Sequence, residues 1–198
     1  LVYKFIKDLE LQKFINKEVA TCLFTGIMAD TGCFSYNSSR KETYQAVSEL
    51  LDYGIDKDGI YYKLYDNFTA KRMHLLGYAL NKKMEVLSEY KTALISLNKE
   101  ELVKFDFQTG DSENFVNYPL SIKDICFSAL FIERDDHVKI SFRSKGDFAV
   151  NEFARKHFNG GGHLNAAGGE SCTTLDETLQ TFKGLLPEYK EQLIKYEI

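Results

Sequence analysis

The sequence predicts an α/β protein, because its two halves carry different hydrophobic periods. In the first half, apolar residues recur at intervals of three and four, which is the spacing of one helix face. In the second half, short apolar runs alternate with helical patterns, as is typical of strands interleaved with helices. The polar run Asn81-Lys82-Lys83 separates the two patterns. We therefore expect a domain boundary there, with a smaller α/β domain of mixed sheet after it.

Helical spacing predicts five helices in the first half of the chain. Asn16 is placed to cap the second helix, which then ends near Asp30, and Asp56 opens the fourth in the same way. The apolar faces that define the five helices lie within residues 2–9, 19–27, 44–51, 60–68 and 73–80.

Three strands are predicted in the second half. Residues 92–97 form a short apolar run, and Asn98 with Glu101 after it resembles a capping box that starts a helix. Residues 124–133 are apolar on both alternating faces, which is expected of a central strand. Residues 137–143 alternate between apolar and polar side chains and complete a hairpin.

Two further helices follow the hairpin. The first is predicted from a cap at Asp147 through Ala154 and ends at the glycine run that begins at Gly160. The second begins at Thr174, with Glu177 in the capping-box position.

Composition limits the classes of function. The chain of 198 residues is 44% hydrophobic and 27% charged, an ordinary globular composition, and its net charge is −4. A chain of this charge gives no support to binding of long duplex nucleic acid, so a nucleotide ligand would need a local basic pocket. We also expect a cytoplasmic protein with no membrane span, since no signal peptide or long apolar run is seen.

The four cysteines are scattered and form no CxxC pair. A zinc site or a disulfide framework is therefore not expected. We interpret the cysteines as reduced and mostly buried thiols.

The strongest signal is the block Asn159–Gly169, NGGGHLNAAGG. Three consecutive glycines cost backbone entropy, so a packed domain tolerates them where something approaches the main chain closely. Free N–H groups there can bind an anion, and His163 adds a donor or a positive charge. Three glycines alone would be explained as well by a helix end and a loose loop. The many small residues around one histidine favour a ligand site.

The segment GGGHLNAAG is similar to the signature of the DHH-associated C-terminal domain. That domain occurs in DHH-family oligoribonucleases (nano-RNases), pAp phosphatases and cyclic-dinucleotide phosphodiesterases. The resemblance implies that Gly161, Gly162 and His163 hold the phosphate or terminal nucleotide of a substrate.

The strand VKISFRS, residues 138–144, matches a second motif of the same family, in which the arginine contacts substrate. Alternation alone places Ile140 and Phe142 on one face and Arg143 on the other. The guanidinium is a planar fork that matches pairs of phosphate oxygens. Arg143 is therefore a predicted substrate-binding residue.

The segment GIMADTGCF, residues 26–34, resembles the last of four metal-binding motifs of the DHH domain. The resemblance implies that Asp30 is a manganese ligand and a catalytic residue, and a carboxylate suits a hard divalent cation. One carboxylate cannot hold two metal ions, and the Asp-His-His motif is not found in these residues. We expect the other ligands of a two-metal Mn²⁺ site to precede Leu1, and this segment alone to be inactive.

The resemblance implies a division of the whole chain. Residues 1–66 resemble the C-terminal part of the DHH domain, 67–83 a connecting helix, and 84–198 the DHH-associated substrate-binding domain. The expected function is manganese-dependent hydrolysis of short oligoribonucleotides (nano-RNA), of pAp, or of both. The expected partners are short single-stranded nucleotides.

Alternatives stay open at this point. One is a cyclic- or linear-dinucleotide phosphodiesterase. Another is a non-catalytic nucleic-acid-binding module like the one appended to alanyl-tRNA synthetase, although the Asp30 segment counts against it. A degenerate regulatory member of the family is a third. Ser38, Ser39 and Arg40 are weaker site candidates, and the residues leave open whether the protein forms a homodimer.

Overall fold

The computed structural model describes residues 1–36 and 38–195. The chain divides into two compact units, Leu1–Phe68 and Thr69–Ile198. Each unit has its own apolar core. The predicted division into residues 1–66, 67–83 and 84–198 stays a prediction.

The described part of the first unit is helical. Its elements are α1 (Val2–Asp8), α2 (Lys17–Asp30), α3 (Lys41–Leu51) and α4 (Lys57–Tyr61), with a 3-10 turn at Gln12–Phe14 and a π-helical turn at Tyr62–Asp66. Both predicted caps form: Asn16 Oδ1 accepts the Val19 N–H at 2.9 Å, and Asp56 Oδ1 accepts the Gly59 N–H at 2.9 Å. Phe24 and Met28 of α2 and Leu50 of α3 lie in the core.

The second unit contains the sheet. In chain order its elements are α5 (Ala70–Tyr78), β1 (Met84–Leu87), β2 (Thr92–Leu97), α6 (Lys99–Lys104), β3 (Phe127–Glu133), β4 (Val138–Ser144), α7 (Val150–His157), β5 (Gly161–His163), β6 (Ala166–Ser171) and α8 (Leu175–Ile194). A π-helical turn at Ala79–Lys83 continues α5, and a 3-10 turn spans Phe115–Ser121.

The six strands form one mixed sheet in the order β1-β2-β3-β4-β6-β5. Strands β2 and β3 are parallel, whereas the other neighbours are antiparallel. The predicted α/β class with a mixed sheet is confirmed. Strand β3 is central and buried on both faces, as its continuous apolar run predicts.

One face of the sheet is covered by α7 and α8 through an aromatic core. Phe127 of β3 and Phe142 of β4 pack against Phe153 of α7 and Phe182 of α8. The Phe127 and Phe153 ring centroids are 5.4 Å apart, edge to face, and those of Phe142 and Phe182 are 6.2 Å apart and stacked. Such pairs add to the stabilisation from burial alone.

The opposite face carries a second apolar core over β2 and β3, and the turn Phe115–Ser121 also contacts β4. Ile95, Leu97, Leu130 and Ile132 of these strands share a core with residues of α5, α6 and the turn Phe115–Ser121. Among the described residues, that core takes no member from β4, β5 or β6. Over β4, β6 and β5 this face carries polar and small residues instead, such as Ser141, Arg143 and Gly168.

Several sequence predictions need correction. Asp147 does not cap α7; the helix begins at Val150, whose N–H donates to the Leu164 carbonyl at 2.9 Å. A carbonyl from a distant turn thus takes the place of a local side-chain cap. Strand β3 begins at Phe127 rather than Asp124, because Asp124 has a φ of 67°, which interrupts an extended strand.

The prediction of mostly buried cysteines is wrong. Only Cys126 is buried; Cys33 is partly exposed, and Cys22 and Cys172 are exposed. Within residues 1–36 and 38–195, no helix combines the length and apolar character that a membrane span requires.

Glu101 joins α6 to the end of α5. Its Oε1 accepts the Tyr78 hydroxyl at 2.7 Å and lies 2.9 Å from Lys83 Nζ, while Oε2 accepts the Asn98 N–H at 2.9 Å. Burial alone would raise the pKa of this carboxyl, but these three donors outweigh it and lower the pKa below its ordinary value. The ionised form is therefore stabilised by folding.

We predict that the Glu101 contacts make stability depend on pH. The pKa of the Glu101 carboxyl is lower in the folded protein than in the unfolded protein. The stabilisation is therefore fully present at pH values above the ordinary pKa of 4.5 and is lost as the pH falls through the folded pKa. Glu101→Gln should flatten the fall in unfolding free energy between about pH 5 and pH 3. Urea denaturation across this range measures it, with exposed Glu100→Gln as the matched control. Equal slopes for both variants would refute the assignment.

Candidate functional site

The glycine block forms a tight β-hairpin. Gly161, Gly162 and His163 of β5 pair with Gly168, Ala167 and Ala166 of β6 in that order. The edge strand β5 has only three residues.

Three of the glycines are required by close packing. A Cβ on Gly160 would lie 2.0 Å from the Gly168 carbonyl oxygen. A Cβ on Gly162, whose φ is 148°, would lie 2.5 Å from the Ala166 oxygen, and one on Gly169 would lie 2.7 Å from the Phe158 oxygen. These approaches exclude any side chain, so the three glycines serve the fold.

Gly161 and Gly168 differ from the other three. They pair with each other across the hairpin, yet a Cβ on Gly161 would meet no atom within 4 Å. A Cβ on Gly168 would meet only the Ile140 oxygen, at 3.7 Å. The space above this pair is therefore available to a ligand.

The sheet register places Arg143 and His163 in one row. Arg143 is opposite Ala166, and Ala166 is opposite His163. Residues directly opposite each other project from the same face, and two strand spacings correspond to about 10 Å between the outer Cα atoms. In the next row Ser141 is opposite Gly168, which is opposite Gly161.

These two rows lie on the face of the sheet opposite the aromatic core. We call this pair of rows the open face; it comprises Ser141, Arg143, Gly161, His163, Ala166 and Gly168. Arg143 is half-buried, and one of its guanidinium nitrogens donates to the Phe142 carbonyl at 2.9 Å. His163 is exposed. A guanidinium and an imidazole beside a floor without side chains suit a phosphate with a flat group attached.

Asp30 is the last residue of α2 and is exposed. The next residue, Thr31, is buried, and its hydroxyl donates to the Ile27 carbonyl at 2.7 Å while accepting the Phe34 N–H at 3.0 Å. Gly32 has a φ of 52°, and a Cβ there would lie 2.6 Å from the Tyr36 ring. Thr31 and Gly32 thus fix the backbone turn at the helix end that carries Asp30.

The donor set allows only a partial metal site. Outside position 37 and the last three positions, no group of three or more His, Cys, Asp and Glu side chains is placed to hold a metal ion. Asp30 fits as a single oxygen ligand of a hard divalent cation. It cannot form a two-ion site without ligands from elsewhere.

The structure separates the predicted site residues into two groups. Arg143, Gly161 and His163 share the open face, and Gly162 lies in the same hairpin. Asp30 belongs to the first unit. The role of each in binding or catalysis stays a prediction.

Sequence reasoning missed three members of the open face. Ser141, Ala166 and Gly168 join the open face only through the β4–β6 register, which the sequence pattern does not reveal. Ser38 is buried and donates to the Phe34 carbonyl at 2.7 Å, which makes it part of the turn. Ser39 and Arg40 are exposed ahead of α3.

Residues 91–189, half of the chain, match the family model of the DHHA1 domain. The chain belongs to the DHHA1 domain family. The resemblance to DHH-family proteins that carry this domain is thereby confirmed, and the matched region contains β2 to β6 and most of α8.

Similar proteins agree with this assignment. The chain is 29% identical over 178 residues to the Bacillus subtilis bifunctional oligoribonuclease and PAP phosphatase NrnA, covering 89% of this chain and 55% of that protein. It is 32% identical over 185 residues to the B. subtilis cyclic-di-AMP phosphodiesterase GdpP, covering 89% of this chain and 26% of GdpP. A solved structure of an exopolyphosphatase-related protein from Bacteroides fragilis aligns with a TM-score of 0.93 and 49% identity, over 97% of this chain and 56% of that chain. The chain thus spans about half the length of NrnA and of the solved protein.

We predict that substitution by alanine at two neighbouring glycines destabilises this DHHA1 domain to different extents. Gly162→Ala should lower the unfolding free energy by more than about 1 kcal/mol, because its backbone and surroundings exclude a Cβ. Gly161→Ala should change it by less than about 1 kcal/mol, because the added methyl group enters open space. Thermal and urea denaturation compare the two variants. A larger loss for Gly161→Ala would contradict the proposed hairpin packing.

Proposed function

We propose that the complete protein containing this chain is a manganese-dependent phosphoesterase that hydrolyses short oligoribonucleotides, pAp or both. The observation that carries the proposal is the row of Arg143 and His163 beside the bare Gly161–Gly168 pair. Such a surface can bind the phosphorylated end of a small nucleotide.

In this proposal Arg143 donates paired N–H groups to a terminal phosphate, and His163 donates from the far side of the row. Phe142, the neighbour of Arg143, is buried in the aromatic core, so the guanidinium is carried by a rigid strand. Gly161 and Gly168 let a sugar or base lie directly on the sheet. A net charge of −4 disfavours long polyanions, so we propose short single-stranded substrates.

Asp30 would supply one metal ligand. The chemistry that bound manganese would provide is activation of water for attack on phosphorus and stabilisation of the departing oxygen. The turn at Thr31 and Gly32 would fix the backbone from which Asp30 extends. Because one carboxylate does not complete the site, the 198-residue chain alone should not hydrolyse substrate.

The relatives support the reaction class. NrnA is named an oligoribonuclease and PAP phosphatase, and the likeness covers most of this chain. The likeness to GdpP supports a second candidate, a cyclic-dinucleotide phosphodiesterase. We favour linear substrates because a cyclic dinucleotide has no terminal phosphate for Arg143 to bind. If the protein only bound nucleic acid and catalysed no reaction, the segment around Asp30 that resembles a metal-binding motif would have no role.

We predict that the complete protein requires Mn²⁺ and Asp30 for turnover. The rate of hydrolysis should be measured with four substrates: pAp, a 5′-phosphorylated diribonucleotide, a cyclic dinucleotide and a long single strand. Each is measured with and without chelator. Asp30→Asn should lower kcat by more than about 100-fold. Even substitution of residues that hydrogen-bond to metal ligands typically lowers metal affinity or activity about 10- to 100-fold. Asp8→Asn is the matched control, being the exposed last residue of α1.

Near-normal turnover by Asp30→Asn would contradict the metal role. Hydrolysis restricted to the cyclic substrate would favour the phosphodiesterase alternative. Absence of turnover on every substrate, together with retained nucleotide binding, would favour the binding module.

We predict that Arg143 acts mainly in binding. Arg143→Ala should raise KM for pAp about 10- to 100-fold with a smaller change in kcat, as expected when a charged hydrogen bond is lost. Arg155→Ala, at an exposed position of α7, controls for the loss of one positive charge. An unchanged KM for Arg143→Ala would show that the open face is not part of the substrate-binding site.

A further inference from the structure

We infer that Asn165 is a positioning residue that sets the placement of His163 relative to Arg143. It would do so by clamping the β5–β6 turn onto the segment that follows β4. This inference rests on the proposed function, because it concerns the geometry of the same phosphate-binding row.

The clamp consists of three hydrogen bonds. Asn165 Nδ2 donates to Ser144 Oγ at 2.9 Å and to the Gly146 carbonyl at 2.8 Å. The Asn165 carbonyl accepts the Ser144 N–H at 3.1 Å. The side chain and the main chain of one residue therefore hold the turn.

The other side of the clamp is anchored in the core. Ser144 is buried, and its hydroxyl donates to the Phe148 carbonyl at 2.7 Å. Phe148 packs in the aromatic cluster. A further bond, from the Val150 N–H to the Leu164 carbonyl at 2.9 Å, ties the same turn to the start of α7.

The position of the clamp couples the two proposed phosphate-binding groups. Ser144 directly follows Arg143, and Asn165 lies between His163 and Ala166, the pair that completes the row. Strand β5 is a short edge strand in which two of the three residues are glycines, and a Cβ on Gly161 would meet no atom within 4 Å. Side-chain packing therefore does little to fix His163, and the turn contacts must do so.

The chemistry of the clamp selects asparagine. Its amide carries two N–H donors on a short side chain, which match one hydroxyl and one carbonyl acceptor. Aspartate has the same shape but no N–H, and its charge would face the Gly146 carbonyl. Asn165→Asp should therefore break the clamp although it preserves the size of the side chain.

Binding of pAp to the 198-residue chain, measured by calorimetry, tests the inference. Asn165→Ala and Asn165→Asp should each weaken binding about tenfold, because small misplacements of a binding group are costly. In a His163→Ala background, Asn165→Ala should cause less than about a twofold further loss, since coupled residues are not additive. Asn159→Gly is the control: it removes the 2.8 Å bond to Glu170 at the other end of the hairpin and suits the φ of 44°.

Hydrogen exchange without ligand gives an independent readout. Asn165→Ala should speed exchange in residues 161–168 and leave α8 unchanged. Unchanged exchange in the hairpin, unchanged pAp affinity, or a full tenfold loss in the His163→Ala background would each overturn the inference. If the unsubstituted chain fails to bind pAp, the proposed nucleotide site is wrong, and the clamp is then judged by the exchange result.

Discussion

The close approach of β5 to β6 is the constraint on which the rest of the site depends. Gly160, Gly162 and Gly169 leave no room for a Cβ between these strands and their neighbours. This approach lets a three-residue edge strand join the sheet in register, which sets His163 in the row of Arg143. The glycines that allow this approach lose backbone entropy on folding and have no side chains to pack. Hydrogen bonds at the turn must therefore hold the hairpin.

The two faces of the sheet differ in composition and packing. Phenylalanines of β3 and β4 pack one face of the sheet against α7 and α8. The described residues of this aromatic core include none from the opposite face of β4. On the opposite face, the apolar core of α5, α6 and the turn Phe115–Ser121 includes no described residue of β4, β5 or β6, so these strands can carry polar residues and bare backbone there. A rigid strand with a buried face thus presents Arg143, which limits the entropy lost when a ligand binds.

Much of this architecture is predictable because it follows from local patterns. The bounds of β2, the alternation in β4 and the capping boxes at Asn98 and Thr174 all appear as predicted. Strands β5 and β6 are not predictable in this way, because runs of glycine and alanine have low β propensity and resemble a loop. The start of α7 and the role of Asn165 depend on partners about 14 to 21 residues away in sequence, which no local rule can supply. The motif predicts Asp30 as a metal ligand. That buried Thr31 fixes the turn after Asp30 is known only from the structure.

The central claim is that the open face binds the phosphorylated end of a nucleotide. Titration of the ¹⁵N-labelled chain with pAp, followed by NMR chemical shifts, tests it most directly. We expect the largest changes at the amides of Gly161, His163 and Gly168 and at Arg143 Nε, with small changes on the strands β1 and β2. Saturable changes confined to residues outside β4, β5 and β6 would contradict the claim.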